Sequence, residues 1–246
     1  MIILLRKKTL IFTGIVCLIG LILLGNSLFP TAVSTFSTTE GENLVVIIDP
    51  GHGGEDGGAV SADGQAESHI NLAIAHNLND LLQLFGFETT MTRYEDVAIY
   101  SDGAQTLREK KTSDLKNRVA LVNSFEHATL ISIHQNSLPS VTSVHGAQVF
   151  YAPTEGSDQM AETIQLMLNS EINPGNEKSK KAIDPSVYLM KNVTCRAVLI
   201  ECGFMSNHNE VAQLQQKEYQ KKLAITIASG FFIAEENSRS TEGNIT

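Results

Sequence analysis

The chain alternates short, β-branched apolar runs with longer segments of helical periodicity, and that alternation leaves few folds open. Leu44–Ile48, Phe87–Met91, Leu130–Ile133, Ala147–Tyr151 and Ala197–Ile200 read as buried strands. Between them, Glu67–Phe85, Lys116–Ser124 and Ser157–Ile172 read as helices, and Asn209–Phe232 as one long closing helix. In the first helix Ile70, Ile74, Leu78, Leu81, Leu82 and Phe85 form one stripe, ended by Gly86. The polar stretches Glu95–Thr112 and Asn173–Pro185 read as loops. Strands that alternate with helices and carry no polar face demand a mostly parallel sheet covered on both sides. The expected fold is therefore α/β, a single domain over 43–235 with a twisted sheet and helices on both faces. Residues 236–246 read as a disordered tail. In such sheets ligands bind beyond the carboxyl ends of the strands, so function is sought there.

The chain has 246 residues, with 42% hydrophobic and 18% charged. This is a folded, globular composition, not that of a disordered chain. The N-terminus stands apart. Thr9–Leu24 is almost unbroken in apolar residues and follows Arg6-Lys7-Lys8. A basic flank before an apolar run marks a secretory signal or a membrane anchor. The basic side stays cytoplasmic, which places the body on the outer face of the membrane. We read residues 1–25 as the anchor or signal segment, anchoring being favoured, and the Ser/Thr-rich residues 26–42 as a tether. The first forty residues hold three basic side chains against Glu40 alone, so the body is acidic within a net charge of −9. An acidic body offers no footprint for nucleic acid. Three cysteines exclude a disulfide scaffold and a four-cysteine zinc module. Cys17 lies in the apolar segment. Cys195 and Cys202 are about 23 Å apart along an extended strand, too far to bridge.

Three strand ends carry chemistry: Asp49-Pro50-Gly51-His52-Gly53-Gly54, Ser132-Ile133-His134-Gln135-Asn136-Ser137, and Ile200-Glu201-Cys202-Gly203-Phe204. Glu67 opens the first helix and belongs to the same rim. Two imidazoles and a carboxylate form a catalytic zinc set with one position left for water. Such a site needs a further carboxylate to take the proton of that water, and Glu201, ending an apolar strand, supplies it. Singly, each residue has a plainer role: a turn histidine, a core histidine, a helix N-terminal acid. Their joint occurrence at corresponding strand ends points to a metal site. His69, His76, His127, His145 and His208 do not share that placement. The glycine-rich turn lacks the Lys-Ser/Thr of a phosphate loop, and no G-x-S-x-G elbow is present. Cys202 alternates with Glu201 along its strand, so it faces the core.

Together the phrases Ile-Ile-Asp-Pro-Gly-His-Gly-Gly-x-Asp-Gly-Gly-Ala, Glu67, Ser-Ile-His-x-Asn-Ser and Leu-Ile-Glu-x-Gly-Phe-x-Ser-Asn resemble the zinc-dependent N-acetylmuramoyl-L-alanine amidases of bacterial cell walls, the type 3 amidases. Thr92-Arg93 and Asn117-Arg118-Val119 fit too, and the likeness runs from Leu44 to Phe232. Lys110–Leu115 and Val187–Thr194 are similar to the subgroup that acts on spore cortex. Gln135, Ser68-His69 and Cys202 depart from the usual pattern, and Gln135 is expected to alter the substrate rim.

The resemblance implies that His52, Glu67 and His134 hold one zinc ion and that Glu201 is the general base. The implied reaction cuts the amide between the muramic lactyl group and L-alanine in peptidoglycan. The implied setting is cortex maturation, muramic δ-lactam formation and germination. Asn136 and Arg93, near strand ends, are candidate substrate contacts. Short and without a wall-binding module, the protein is a candidate for a membrane-bound activating partner. A vegetative-wall amidase, a zinc peptidase acting on the stem, and an inactive wall-binding protein are the competing readings.

Overall fold

Strands β1 (Val45–Pro50), β2 (Glu88–Met91), β3 (Ala128–Asn136), β4 (Gln148–Tyr151), β5 (Lys181–Ala182) and β6 (Arg196–Phe204) form one sheet in the order β2-β1-β3-β6-β4-β5. The structure is a computed structural model and describes residues 44–242. The anchor, the tether and Cys17 lie outside the described residues. The helices are α1 (Glu67–Leu84), α2 (Leu107–Val122), α3 (Ser157–Glu171), α4 (Tyr188–Asn192), α5 (His208–Leu214) and α6 (Lys217–Glu242). Among these, none is long and apolar enough to cross a membrane.

Alternation along the strands builds two cores. Val46, Ile48, Ile131, Ile133, Val198 and Ile200 face α1, α3 and α6. Their neighbours Val45, Ile47, Leu130, Ala197 and Leu199 pack with Val122 of α2 and with Leu189 and Met190 of α4. Both faces are therefore covered, as the strand composition requires. Every strand pair is parallel except β4 with β6. The link from β3 to β4 spans only residues 137–147 and contains no helix. A parallel return needs a crossover of a dozen or more residues, usually helical, so β4 runs antiparallel.

Where structure and sequence differ, polar residues are responsible. The stretch Glu95–Thr112, read as loop, contains the first turn of α2. A capping box starts that helix: Thr106 accepts from the Glu109 amide while Glu109 accepts from the Thr106 amide. The buried stripe of α2 is Asp114, Arg118 and Val122, spaced like an apolar face but mostly charged. The stretch Asn173–Pro185 carries β5. The closing helix is two helices, broken at Gln215–Gln216. The second continues to Glu242, so residues 236–242, read as tail, are helical. Arg196 pins this helix by its ion pair with Glu235. Cys195 and Cys202 are unpaired, and Cys202 is buried in the core.

Asp49, 1% exposed, ties β1 to both neighbouring strands and to α2. Its Oδ1 accepts from Arg118 Nη1 at 2.6 Å and from Thr92 Oγ1 at 2.7 Å, and its Oδ2 accepts from Ser132 Oγ at 2.7 Å. Arg118 also donates to Asp114 through Nε at 2.7 Å. Burial alone would raise the Asp49 carboxyl, but the Arg118 charge and the two hydroxyls hold it below its ordinary 3.8, at about 2. Asp49→Asn would leave Arg118 with Asp114 alone to meet its buried charge, and we expect a loss of about 3 kcal/mol in urea denaturation at neutral pH. Because the folded pKa is depressed, the stabilisation is complete above the unfolded value. It is lost as pH falls through about 2. The variant should therefore show a shallower acid limb than the parent; an identical acid limb would remove Asp49 from the account.

Candidate metal centre and active site

Three adjacent central strands and one helix deliver the functional side chains to one end of the sheet. β1 ends at Pro50, and His52 follows in a left-handed conformation with φ 61. Glu67 is the first residue of α1. His134 lies near the end of β3, directly paired with Glu201 on β6. All four predicted residues thus sit at the carboxyl ends, and the β3–β6 register shifts between His134 and Asn136 before pairing resumes at Asn136 with Phe204.

The Glu67 Oε1 atom lies 3.0 Å from His134 Nδ1 and 3.5 Å from His52 Nε2. The imidazole centroids are 5.0 Å apart with planes at 75°. One ligand atom from each residue falls within 4.8 Å of the others. Donors bound tetrahedrally to zinc stand about 3.3 Å from one another, given bonds of about 2.0–2.1 Å. The donor set and its spacing fit such an ion.

Neighbouring groups fix each donor. Asp56 Oδ2 lies 3.0 Å from His52 Nδ1, leaving Nε2 for the centre. A carboxylate behind an imidazole is the usual support of a metal-binding histidine. Asp56, bonded to His52 and 3.1 Å from Lys111 Nζ, is held far below the usual carboxylate range. Glu67 Oε2 accepts from the Ala59 amide at 2.8 Å, and Oε1 accepts from Asn71 Nδ2 at 3.1 Å and the Gln135 amide at 3.0 Å. Burial would raise Glu67, but the His134 hydrogen bond and the His134 and His52 charges bring it to about 2.

Glu201 behaves oppositely. Burial, reinforced by the Glu67 charge against the pull of His134, pushes it up to about 7. Its Oε2 is buried without a hydrogen-bond partner. A buried carboxylate oxygen without a partner is rare in a folded protein, and here it lies on the strand beside His134.

Two glycines make the close packing possible. A Cβ on Gly51 would lie 2.2 Å from the His134 ring. A Cβ on Gly58, whose φ is +71, would lie 2.5 Å from Glu67 Oε2 and 2.7 Å from His52 Cδ2.

Arg93 is put to a different use from the substrate contact expected of it. Its side chain is 0% exposed. Its nitrogens donate to the carbonyls of Pro50, Gly51, Ser68 and Glu95. Asn136 does stand at the strand end, where its Oδ1 accepts from the Ser137 amide at 2.7 Å. Gln135 lies inward rather than on the rim: 4% exposed, it donates from Nε2 to Asn71 Oδ1 at 3.1 Å. In the sequence, Asp56 stands out only as part of the glycine-rich phrase, with no role beside His52, and Asn71 not at all. The aspartate's signal was its position four residues after His52, and the asparagine's was its place one helical turn after Glu67. His69 and His76 point elsewhere, to Asp96 and to the Tyr94 carbonyl. The opening beside His52 is walled by Ala98, Tyr100, Leu107, Lys110 and Lys111.

A parallel sheet with a donor triad and a basic carboxylate at its carboxyl end defines an α/β enzyme built for hydrolysis. A family model described as N-acetylmuramoyl-L-alanine amidase (Amidase_3) matches residues 46–232. The chain belongs to that family and is a hydrolase of the peptidoglycan amide for which it is named. It is similar to the germination-specific N-acetylmuramoyl-L-alanine amidase of Bacillus subtilis (strain 168), 36% identical over 186 residues, covering 76% of this chain and 77% of that protein. The CwlD amidase of Clostridioides difficile, solved in complex with the GerS lipoprotein, superposes with a TM-score of 0.75 at 34% identity, covering 79% of this chain and 99% of that one. The catalytic domain of CwlV from Bacillus (Paenibacillus) polymyxa var. colistinus gives a TM-score of 0.64 at 27% identity, covering 79% and 98%.

Gly58→Ala tests whether this packing sets the site. The added methyl should displace Glu67 and His52 and lower stem-peptide release by about 100-fold, the scale of an ångström-level misplacement. Far-UV circular dichroism should be unchanged; undiminished release would mean that the close approach at Gly58 is not needed.

Proposed function

We propose that the protein is a zinc-dependent amidase that strips stem peptides from spore-cortex peptidoglycan on the outer side of a membrane. The observation that carries the catalytic part is the orphaned Glu201 carboxylate on the strand beside His134, with the His52–Glu67–His134 triad at the same strand ends. His52, Glu67 and His134 are the residues that would hold the ion. Zinc there supplies Lewis-acid polarisation and lowers the pKa of water.

Glu201 takes a proton from the attacking water at its free Oε2 and returns it to the nitrogen of L-alanine as the carbon–nitrogen bond breaks. The lactyl carbonyl becomes a carboxyl group and the stem peptide leaves with a free amine. Burial gives Glu201 the basicity for the first transfer and the acidity of its protonated form for the second. Asn136 stands on the rim, at the strand end beside the donors, and is our candidate contact for the bound muropeptide. Arg93 positions backbone instead.

The cortex assignment is supported by the germination-specific relative and by the Lys110–Leu115 and Val187–Thr194 phrases. Removing the stem peptide leaves a free lactyl carboxyl, the group a muramic δ-lactam requires. A membrane-held lipoprotein partner is supported by the complex in which the similar CwlD amidase was solved. Residues 1–25, with the basic cluster before the apolar run, are assigned to hold the enzyme at the membrane and 26–42 to tether it, the catalytic domain following from 43.

The deciding experiment digests purified cortex peptidoglycan with the full chain in detergent and reads the products by mass spectrometry. Intact stem peptides beginning at L-alanine, lost on chelation and restored by zinc, are expected. Shortened stems still joined to glycan would make the enzyme a stem peptidase. Glu201→Gln should keep stoichiometric zinc while turnover falls by about 1000-fold, within the usual range for a lost general base. Parent-like turnover would remove Glu201 from the mechanism.

A further inference from the structure

His52 is the sole non-glycine residue with positive φ among the described residues, and it is also a metal-donor candidate. A side chain in the left-handed region persists only where surrounding contacts over-determine it. The contacts here come from two buried guanidiniums. Arg118 donates from Nη2 to the His52 carbonyl at 2.7 Å and from Nη1 to the Pro50 carbonyl at 3.0 Å. Arg93 donates from Nε to the Pro50 carbonyl at 2.9 Å and from Nη2 to the Gly51 carbonyl at 3.1 Å. The same Nη2 reaches the Ser68 carbonyl at 2.9 Å, in the first turn of α1 beside Glu67.

Three successive carbonyls, from Pro50 to His52, are thus gripped where β1 leaves the sheet. Such carbonyls need partners once buried, and the forked geometry of arginine can serve several at once. Both side chains are at most 2% exposed. Their charges are met by Asp49 and Asp114 for Arg118 and by Asp96, 3.8 Å away, for Arg93.

We propose that Arg93 and Arg118 are positioning residues: a buried clamp that holds the His52 backbone in its left-handed form and so sets how tightly the donor triad binds a divalent transition metal. The proposal rests on the zinc-site reading above. Neither arginine touches metal or substrate; each acts through backbone carbonyls, which lysine, with a single nitrogen, cannot grip in the same number.

The test measures zinc affinity of the full, metal-stripped chain by competition with a chromophoric chelator. The parent is compared with Arg118→Lys, Arg93→Lys and Ile227→Val. The last is a core change on α6, away from the donors, that lowers stability only. Circular dichroism and thermal melting of each metal-free protein run alongside. Both lysine variants should keep their secondary structure and bind zinc about 10–100-fold more weakly, the scale for lost support of a metal ligand. Ile227→Val should melt earlier and bind as the parent does. Should Arg118→Lys not fold, Arg93→Lys decides alone. Parent-like affinity in the folded lysine variants overturns the clamp, as does an equal loss in Ile227→Val, since affinity would then merely follow stability. A parent that binds no zinc overturns the site reading itself.

Discussion

The Asp49–Arg118 ion pair is the interaction from which the working end of this enzyme is built. It closes at 2.6 Å between β1 and α2, in a place almost without solvent. Two charges taken out of water gain little unless their remaining hydrogen-bonding capacity is met. Here it is met completely enough to organise the surroundings. Asp49 gathers Thr92 from the end of β2 and Ser132 from β3, while Arg118 gathers Asp114 and the carbonyls of Pro50 and His52. An apolar replacement of the pair could hold the layers together, but it would take from the His52 carbonyl its Arg118 donor and leave the Pro50 carbonyl to Arg93 alone.

From that pair outward, His134 and Glu201 are placed by strand register rather than by loops. Asp49 pairs with Ser132, and two residues further along β3 His134 pairs with Glu201. Parallel neighbours end on the same side, so strand ends accumulate functional groups that are far apart in sequence. Glu67 completes the set from the first turn of α1, and Asn71, a turn later, bridges it to the Gly51 carbonyl at 3.2 Å. Rigid elements thereby carry Glu67, His134 and Glu201, while His52 alone stands on the glycine-rich turn that follows β1.

Much of this was legible in the sequence because apolar strands and their end residues obey simple periodicity. Val46 and Ile48 against Val45 and Ile47 announce a sheet with two covered faces, and His52, His134 and Glu201 are conspicuous as polar residues ending apolar runs. What escaped was carried by buried charge. The stripe of α2 is Asp114 and Arg118, which periodicity scores as solvent-facing. Arg93 stands just past the end of β2, where a substrate contact is expected, but a guanidinium's destination depends on which carbonyls lack partners, and that is a property of the folded turn. Gln135 lies inward, its Nε2 donating to Asn71 while its Oε1 is buried without a partner. The antiparallel β4 was hidden because strand direction depends on the length and path of a connection, not on the strand's own residues.

The two carboxylates of the centre show how one environment assigns two roles. Glu67 receives an amide from Ala59, an amide from Gln135 and the Asn71 side chain, with both imidazoles alongside; these hold it as an anion at about 2. Glu201 is nearby and buried, yet one of its oxygens receives nothing, and it rises to about 7. Pairs of titratable groups driven apart in this way identify which is committed and which exchanges protons. The difference is not in residue type but in the number of donors that the fold aims at each. Supplying Glu201 with a backbone amide of its own would favour its charged form and reduce its appetite for a proton. Its unsatisfied oxygen is therefore part of what keeps it the more basic of the two carboxylates.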